Sequence, residues 1–192
     1  MGQYFVPVVG NKWGGEFTPH AWIHPHDSGD GLKFMEHSYA RNAVVTTIMD
    51  YIRVPKGVTI RDYLAKRVVW AGDYSEVKVT KGEGYNLYHK AMELYPQCKI
   101  GTFVGYDPRL KYIVNISKSQ WADCTKIPYA QDNLKLSALA ALTATEMGGN
   151  GGDFSGAGYE QIGLWSGDLI CSTTTKSKIP RNYSELTLAF GF

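Results

Sequence analysis

Apolar residues recur at two periods along this chain of 192 residues, and segments of the two kinds follow one another without strict alternation. A helix face needs apolar residues three or four apart, and a strand needs them two apart. Regular strand–helix alternation builds a doubly wound parallel sheet, whereas an irregular mixture builds an α+β fold. No linker or composition break divides the chain. The expectation is therefore a single α+β domain over residues 1–192, with a mixed or antiparallel sheet and about three helices. At 44% hydrophobic and 20% charged residues, there is enough apolar surface to offset chain entropy.

Tyr4–Val9 reads as an opening strand, followed by a turn at Asn11–Gly15 and a His-, Pro- and Trp-rich segment over Trp13–Asp30. Leu32–Ser38 reads as a returning strand. Arg41–Ile52 is an amphipathic helix with Val44, Val45, Ile48, Tyr51 and Ile52 on one face. Thr59 caps a second helix, with Asp62 favouring its first turn and Ile60, Tyr63 and Leu64 packing inward. Val68–Ala71 is a short strand, and Tyr85–Tyr95 a helix stopped by Pro96. Ile100–Tyr106 and Lys111–Ser117 read as a hairpin turned at Asp107-Pro108-Arg109. Leu134–Met147 carries helix-forming alanines after a strand-like start. Ile162–Ser172 and Leu186–Phe190 read as strands.

Net charge is +2, from 20 Lys and Arg against 18 Asp and Glu. The charges are interspersed, with no basic run to track a phosphate backbone, so dedicated nucleic-acid binding is not expected. A patch assembled only on folding would escape that test. Cys98, Cys124 and Cys171 are few, odd in number and far apart, which points to reduced thiols and a cytoplasmic setting. No apolar stretch is long enough to span a bilayer, so no membrane association is expected. The start of the chain has neither the basic residues of a signal peptide nor, with Val6 at the sixth position, a myristoylation signal. Asn115-Ile116-Ser117 and Asn182-Tyr183-Ser184 fit the glycosylation triplet by chance alone.

Four of the five histidines lie between positions 20 and 37. In extended chain, His24 and His26 would point to one side, about 6–7 Å apart. Two imidazoles so placed can converge on a metal ion, with Asp27, Asp30, His37 or a distant cysteine as further ligands. Zinc is the candidate metal, because it accepts imidazole together with carboxylate or thiolate at little geometric cost. A closed structural site is expected over a catalytic one, since no general base is identifiable nearby. His20 would lie too far along the strand. The alternative is ordinary histidines hydrogen-bonded to backbone. The spacing matches neither the metallo-β-lactamase pattern nor the His-Glu-x-x-His helix, and the cysteines have no Cys-x-x-Cys spacing.

Other features are less specific. The glycine-rich stretch Gly148–Gly158 leads to an expected strand and has no Gly-Lys-Ser/Thr ending, so it reads as a connector more than a phosphate cradle. Trp70-Ala71-Gly72-Asp73 and Trp165-Ser166-Gly167-Asp168 share Trp-x-Gly-Asp. Core tryptophans beside Gly-Asp turns are the expectation, over carboxylates paired in one pocket. No serine sits in a nucleophile elbow.

Met1-Gly2-Gln3-Tyr4, His24-Pro25-His26, Gly29-Asp30-Gly31-Leu32-Lys33, Trp70-Ala71-Gly72-Asp73-Tyr74, Lys111-Tyr112-Ile113-Val114-Asn115 and Gly149-Asn150-Gly151-Gly152-Asp153 occur in this order. Together they resemble a family of uncharacterised bacterial and phage proteins beginning Met-Gly-Gln-Tyr. The resemblance implies a bacterial or phage source and no activity.

These readings support a non-enzymatic interaction protein with a protein partner in a bacterial host, and the specific expectation is a metal-stabilised, phage-borne inhibitor of a defence complex. Thirteen tyrosines and five tryptophans could furnish such an interface. The first alternative is a metal-dependent hydrolase of phosphoesters or nucleotides using the His24/His26 region. The second is a small-molecule or nucleotide binder.

Overall fold

A computed structural model describes residues 3–13, 16–77, 85–128, 135–145 and 158–190. Among them, the central feature is a seven-stranded sheet ordered β2-β1-β3-β8-β6-β7-β9. Its strands are β1 (Phe5–Trp13), β2 (Glu16–Trp22), β3 (Lys66–Gly72), β6 (Tyr112–Asn115), β7 (Gln120–Asp123), β8 (Leu169–Thr173) and β9 (Ser184–Glu185). Every pairing is antiparallel except β7 with β9. A separate ribbon joins β4 (Glu76–Val77) to β5 (Tyr85–Asn86). Four helices accompany the sheets: α1 (Phe34–His37), α2 (Ala43–Tyr51), α3 (Leu87–Leu94) and α4 (Ala138–Thr143). This is an α+β fold.

Period-two alternation sorts the inner strands between two layers. Phe5, Val9, Val68 and Trp70 join the core beneath α2 and α4, with Val44, Ile48, Leu139 and Leu142. Val6, Val8, Val69 and Ala71 face the other way and pack with Leu87, Tyr88 and Ala91 of α3. Farther along the sheet, Val114, Trp121 and Cys171 pack against Val54, Ile60 and Ile179. Strands covered on both faces explain why β1 and β3 read as nearly continuous apolar runs. Each fully buried Val or Ile of α2 contributes about 1.5–3 kcal/mol by leaving water, so packing more than propensity fixes this helix.

Local signals placed several elements well. Asn42 caps α2 by accepting the Val44 N–H at 2.7 Å, and Asn86 caps α3 through His89. Leu136 makes a bridge to Tyr39 before α4 begins, so over its described residues 135–145 the ambiguous segment is strand-like and then helical.

Other expectations are corrected. β1 runs on through the expected Asn11–Gly15 turn as far as Trp13, and β2 lies inside the His-rich segment with Pro19 on the outermost strand. Leu32–Ser38 is not a strand, because Glu36 accepts the Lys33 N–H and turns the chain into α1. Thr59 and Asp62 do exchange cap-like bonds, at 2.6 and 3.3 Å, but no helix follows. Leu64 there is 82% exposed, and Tyr51 of α2 is also exposed.

Leu110 N–H donates to the Asp107 carbonyl, so the 107–110 turn forms. Residues 100–106, however, make no strand: Thr46 and Thr47 of α2 satisfy the backbone of Val104. β6 pairs instead with β7 through a turn in which Ser119 adopts φ 53°. The expected strand Ile162–Ser172 is turns up to Asp168, and Leu186–Phe190 is irregular. No helix among the described residues is long and apolar enough to cross a membrane.

Candidate functional site

The histidine region does not gather into one donor set. After His24 the backbone leaves extended geometry for a 3-10 turn over Pro25–Ser28, closed by Gly29 at φ 85°. The rings of His24 and His26 still meet edge to face, 5.0 Å between centroids. Burial, then the neighbouring His26 charge, holds the His24 pKa below its ordinary value.

The other three expected ligands are turned to other tasks. The Asp27 carboxylate pairs with Lys99 at 2.7 Å. Asp30 accepts from Ser28 at 2.5 Å and from Asn42 at 2.9 Å. His37 is fully buried, its Nδ1 3.0 Å from the Gly31 carbonyl and its Nε2 3.0 Å from the Trp70 indole N–H. The indole can only donate, so Nε2 accepts and Nδ1 carries the proton. Both ring nitrogens are thereby engaged. Among the described residues, no group of three or more His, Cys, Asp or Glu side chains is placed to hold a metal ion.

The two Trp-x-Gly-Asp turns lie at opposite ends of β3. Asp73 accepts the Tyr4 N–H beyond the Gly72 end, whereas Asp168 accepts from Asn115 near the Arg67 end, where Gly167 bonds Val68. Their carboxylates do not share a pocket. The indoles are buried as expected, bonded to His37 and Gln120. Of the glycine-rich stretch only Gly158 falls within the described residues.

A different site emerges from the tertiary structure, a cleft of about 1040 Å³. One wall is the outer side of α2 with the flanking Tyr39–Arg41 and Arg53. The other is the irregular segment 104–111, and Cys124, Thr125, Ile127, Lys135 and Ser137 complete it. Bonds between the segments set its shape. Thr46 Oγ1 donates to the Val104 carbonyl and Val104 N–H donates to Thr47, both at 3.1 Å. Ala40 N–H donates to the Lys135 carbonyl, and Ser137 N–H to that of Ser38.

The cleft is cationic. Among the described residues, Arg41, Arg53, Arg109, Lys111 and Lys135 line it against two carboxylates, Asp50 and Asp107. Arg53 bridges both carboxylates, at 2.5 and 3.3 Å. The Arg109 side chain and backbone N–H both bond Asp107, which holds this carboxyl below the usual range, with Arg53 adding to the effect. Arg41 and Lys111 form no ion pair among the described residues. The Arg41 guanidinium lies 5.5 Å from the centre of the Tyr106 ring, and Tyr106 and Val104 are exposed beside it.

Groups suited to covalent chemistry are committed elsewhere. Ser137 caps α4, Thr125 Oγ1 donates to Asp123, and Thr46 Oγ1 bonds carbonyls. Burial pushes the Cys124 thiol up to about 12, so little thiolate exists near neutrality. No histidine lines the cleft among the described residues. Sequence reading missed it because its cations come from separated segments, and no local run announces them. No protein-family model, curated protein or solved structure matches the chain.

Proposed function

We propose that the protein is a non-enzymatic binding protein and that its ligand is anionic, held in the cleft between α2 and segment 104–111. The observation that carries this reading is the excess of cations over carboxylates, in a concave site where Arg41 and Lys111 lack a carboxylate partner among the described residues. Cations lining a concave surface focus field and raise the local concentration of anions. The absence of a histidine or a reactive thiol from the described cleft lining favours binding over turnover. A metal-dependent hydrolase at His24 and His26 has less support, since Asp27, Asp30 and His37 are engaged elsewhere. A bacterial or phage setting is a proposal that the sequence resemblance supports. Action on a host defence complex is a proposal that rests only on the aromatic-rich composition and the lack of a catalytic signature in the sequence.

Thermal unfolding with inorganic pyrophosphate, citrate or phenyl phosphate tests the reading. At least one should raise the melting temperature, the effect should fade with added sodium chloride, and Arg41→Glu with Lys111→Glu should abolish it. No stabilisation by any of the three, or equal stabilisation of the double variant, would sink the reading.

A further inference from the structure

We infer that the ligand of this cleft is a nucleotide, a planar base joined to one or more phosphates. The inference rests on the anion-binding reading and adds the ligand class. Its first support is size. At about 1040 Å³ the cleft sits at the upper end of small-ligand sites, far larger than a phosphate, citrate or sulfate ion needs. A simple anion would leave Val104, 37% exposed, and the exposed Tyr106 ring facing water.

The second support is the pairing of aromatic and cationic groups. Tyr106 is 47% exposed although Arg41 lies over its ring, so ring surface remains for a base to stack on. Such stacking tolerates any base, because each has a π-face. A guanidinium lying over an aromatic ring still presents N–H donors at its edge for a phosphate. Lys111 adds a compact cation on the same cleft, without an ion-pair partner among the described residues. An acidic peptide would satisfy the cations but offers no obligatory planar group for Tyr106. Nucleotide chemistry uses both the aromatic and the charged lining.

The test is titration calorimetry at low salt on the full chain. The probes are the mono- and diphosphates of adenosine, guanosine, cytidine and uridine, with adenosine, ribose 5-phosphate and a hexaglutamate peptide alongside. At least one nucleotide should bind, and adenosine and ribose 5-phosphate should each bind roughly tenfold more weakly or worse, for want of the phosphate or the base. Tyr106→Ala and Lys111→Gln should each weaken nucleotide binding roughly tenfold, and thermal melts establish that both variants fold. Binding of ribose 5-phosphate or hexaglutamate that depends on Lys111, with no nucleotide binding, overturns the nucleotide assignment and leaves the anionic cleft standing. No binding by any probe, together with no stabilisation by simple anions, overturns both. Nucleotide binding unchanged in both variants also overturns the inference, because the site would lie elsewhere.

Discussion

Acidification between pH 7 and pH 5 should destabilise the fold, with a distinct contribution from His37. Its ring is fully buried, with Nε2 accepting from Trp70 and Nδ1 donating to Gly31. A proton added to Nε2 would face the indole N–H, and the bond to Trp70 would be lost. Burial pulls the His37 pKa from 6.5 down to about 4, although the Gly31 carbonyl and the nearby Asp30 and Glu36 charges favour the cation. The folded pKa lies below the unfolded one, so the unfolded chain binds the proton first. The contribution is therefore fully present above pH 6.5 and is lost as pH falls through about 4. At 1.36 kcal/mol per unit, the whole gap is worth about 3 kcal/mol, and about 2 kcal/mol of it disappears by pH 5. Urea unfolding of wild type and His37→Gln at both pH values measures it. The variant should start less stable, since the bonds to Trp70 and Gly31 are disturbed, but should lose about 2 kcal/mol less than wild type on acidification. Common effects, including the lowered pKa of His24, cancel in the comparison. Parallel losses in the two proteins would refute the buried neutral histidine.

Three further outcomes follow from single contacts. Asn42→Ala removes the acceptor for the Val44 N–H and the donor to Asp30; it should cost about 1 kcal/mol and lower the melting temperature by about 2–4 °C in calorimetry. Gly158→Ala places a Cβ 2.5 Å from the backbone of Ala189 and Phe190 at φ 75°; chemical denaturation should show a loss of about 2–4 kcal/mol, and wild-type stability would contradict the packing. Any zinc taken up by untagged protein should fall in His24→Ala with His26→Ala and persist in His37→Gln, as read by elemental analysis, because only the first pair has no competing bond on both ring nitrogens. Loss of zinc in the His37 variant would reverse that assignment.

What the sequence determined by itself is what neighbouring residues decide. The amphipathic spacing of Val44, Val45, Ile48 and Ile52 specifies α2, and the Tyr88, Ala91 and Met92 spacing ahead of Pro96 specifies α3. Caps and periodicity act within a few residues, so they are legible without a fold. The α+β class followed from the irregular order of such segments. Tertiary structure decided what depends on distant partners. Ile100–Tyr106 has the composition of a strand, yet Thr46 and Thr47 of α2 take the backbone bonds of Val104. His37 resembled a metal ligand until Trp70, 33 residues away, occupied its Nε2. The cationic cleft belongs to the same class of fact. Arg41, Arg53, Arg109, Lys111 and Lys135 form no basic run along the chain, and folding lines one cleft with all five. Charge is local in sequence only when the backbone keeps it so, while the field at a site sums over every charge that folding brings near.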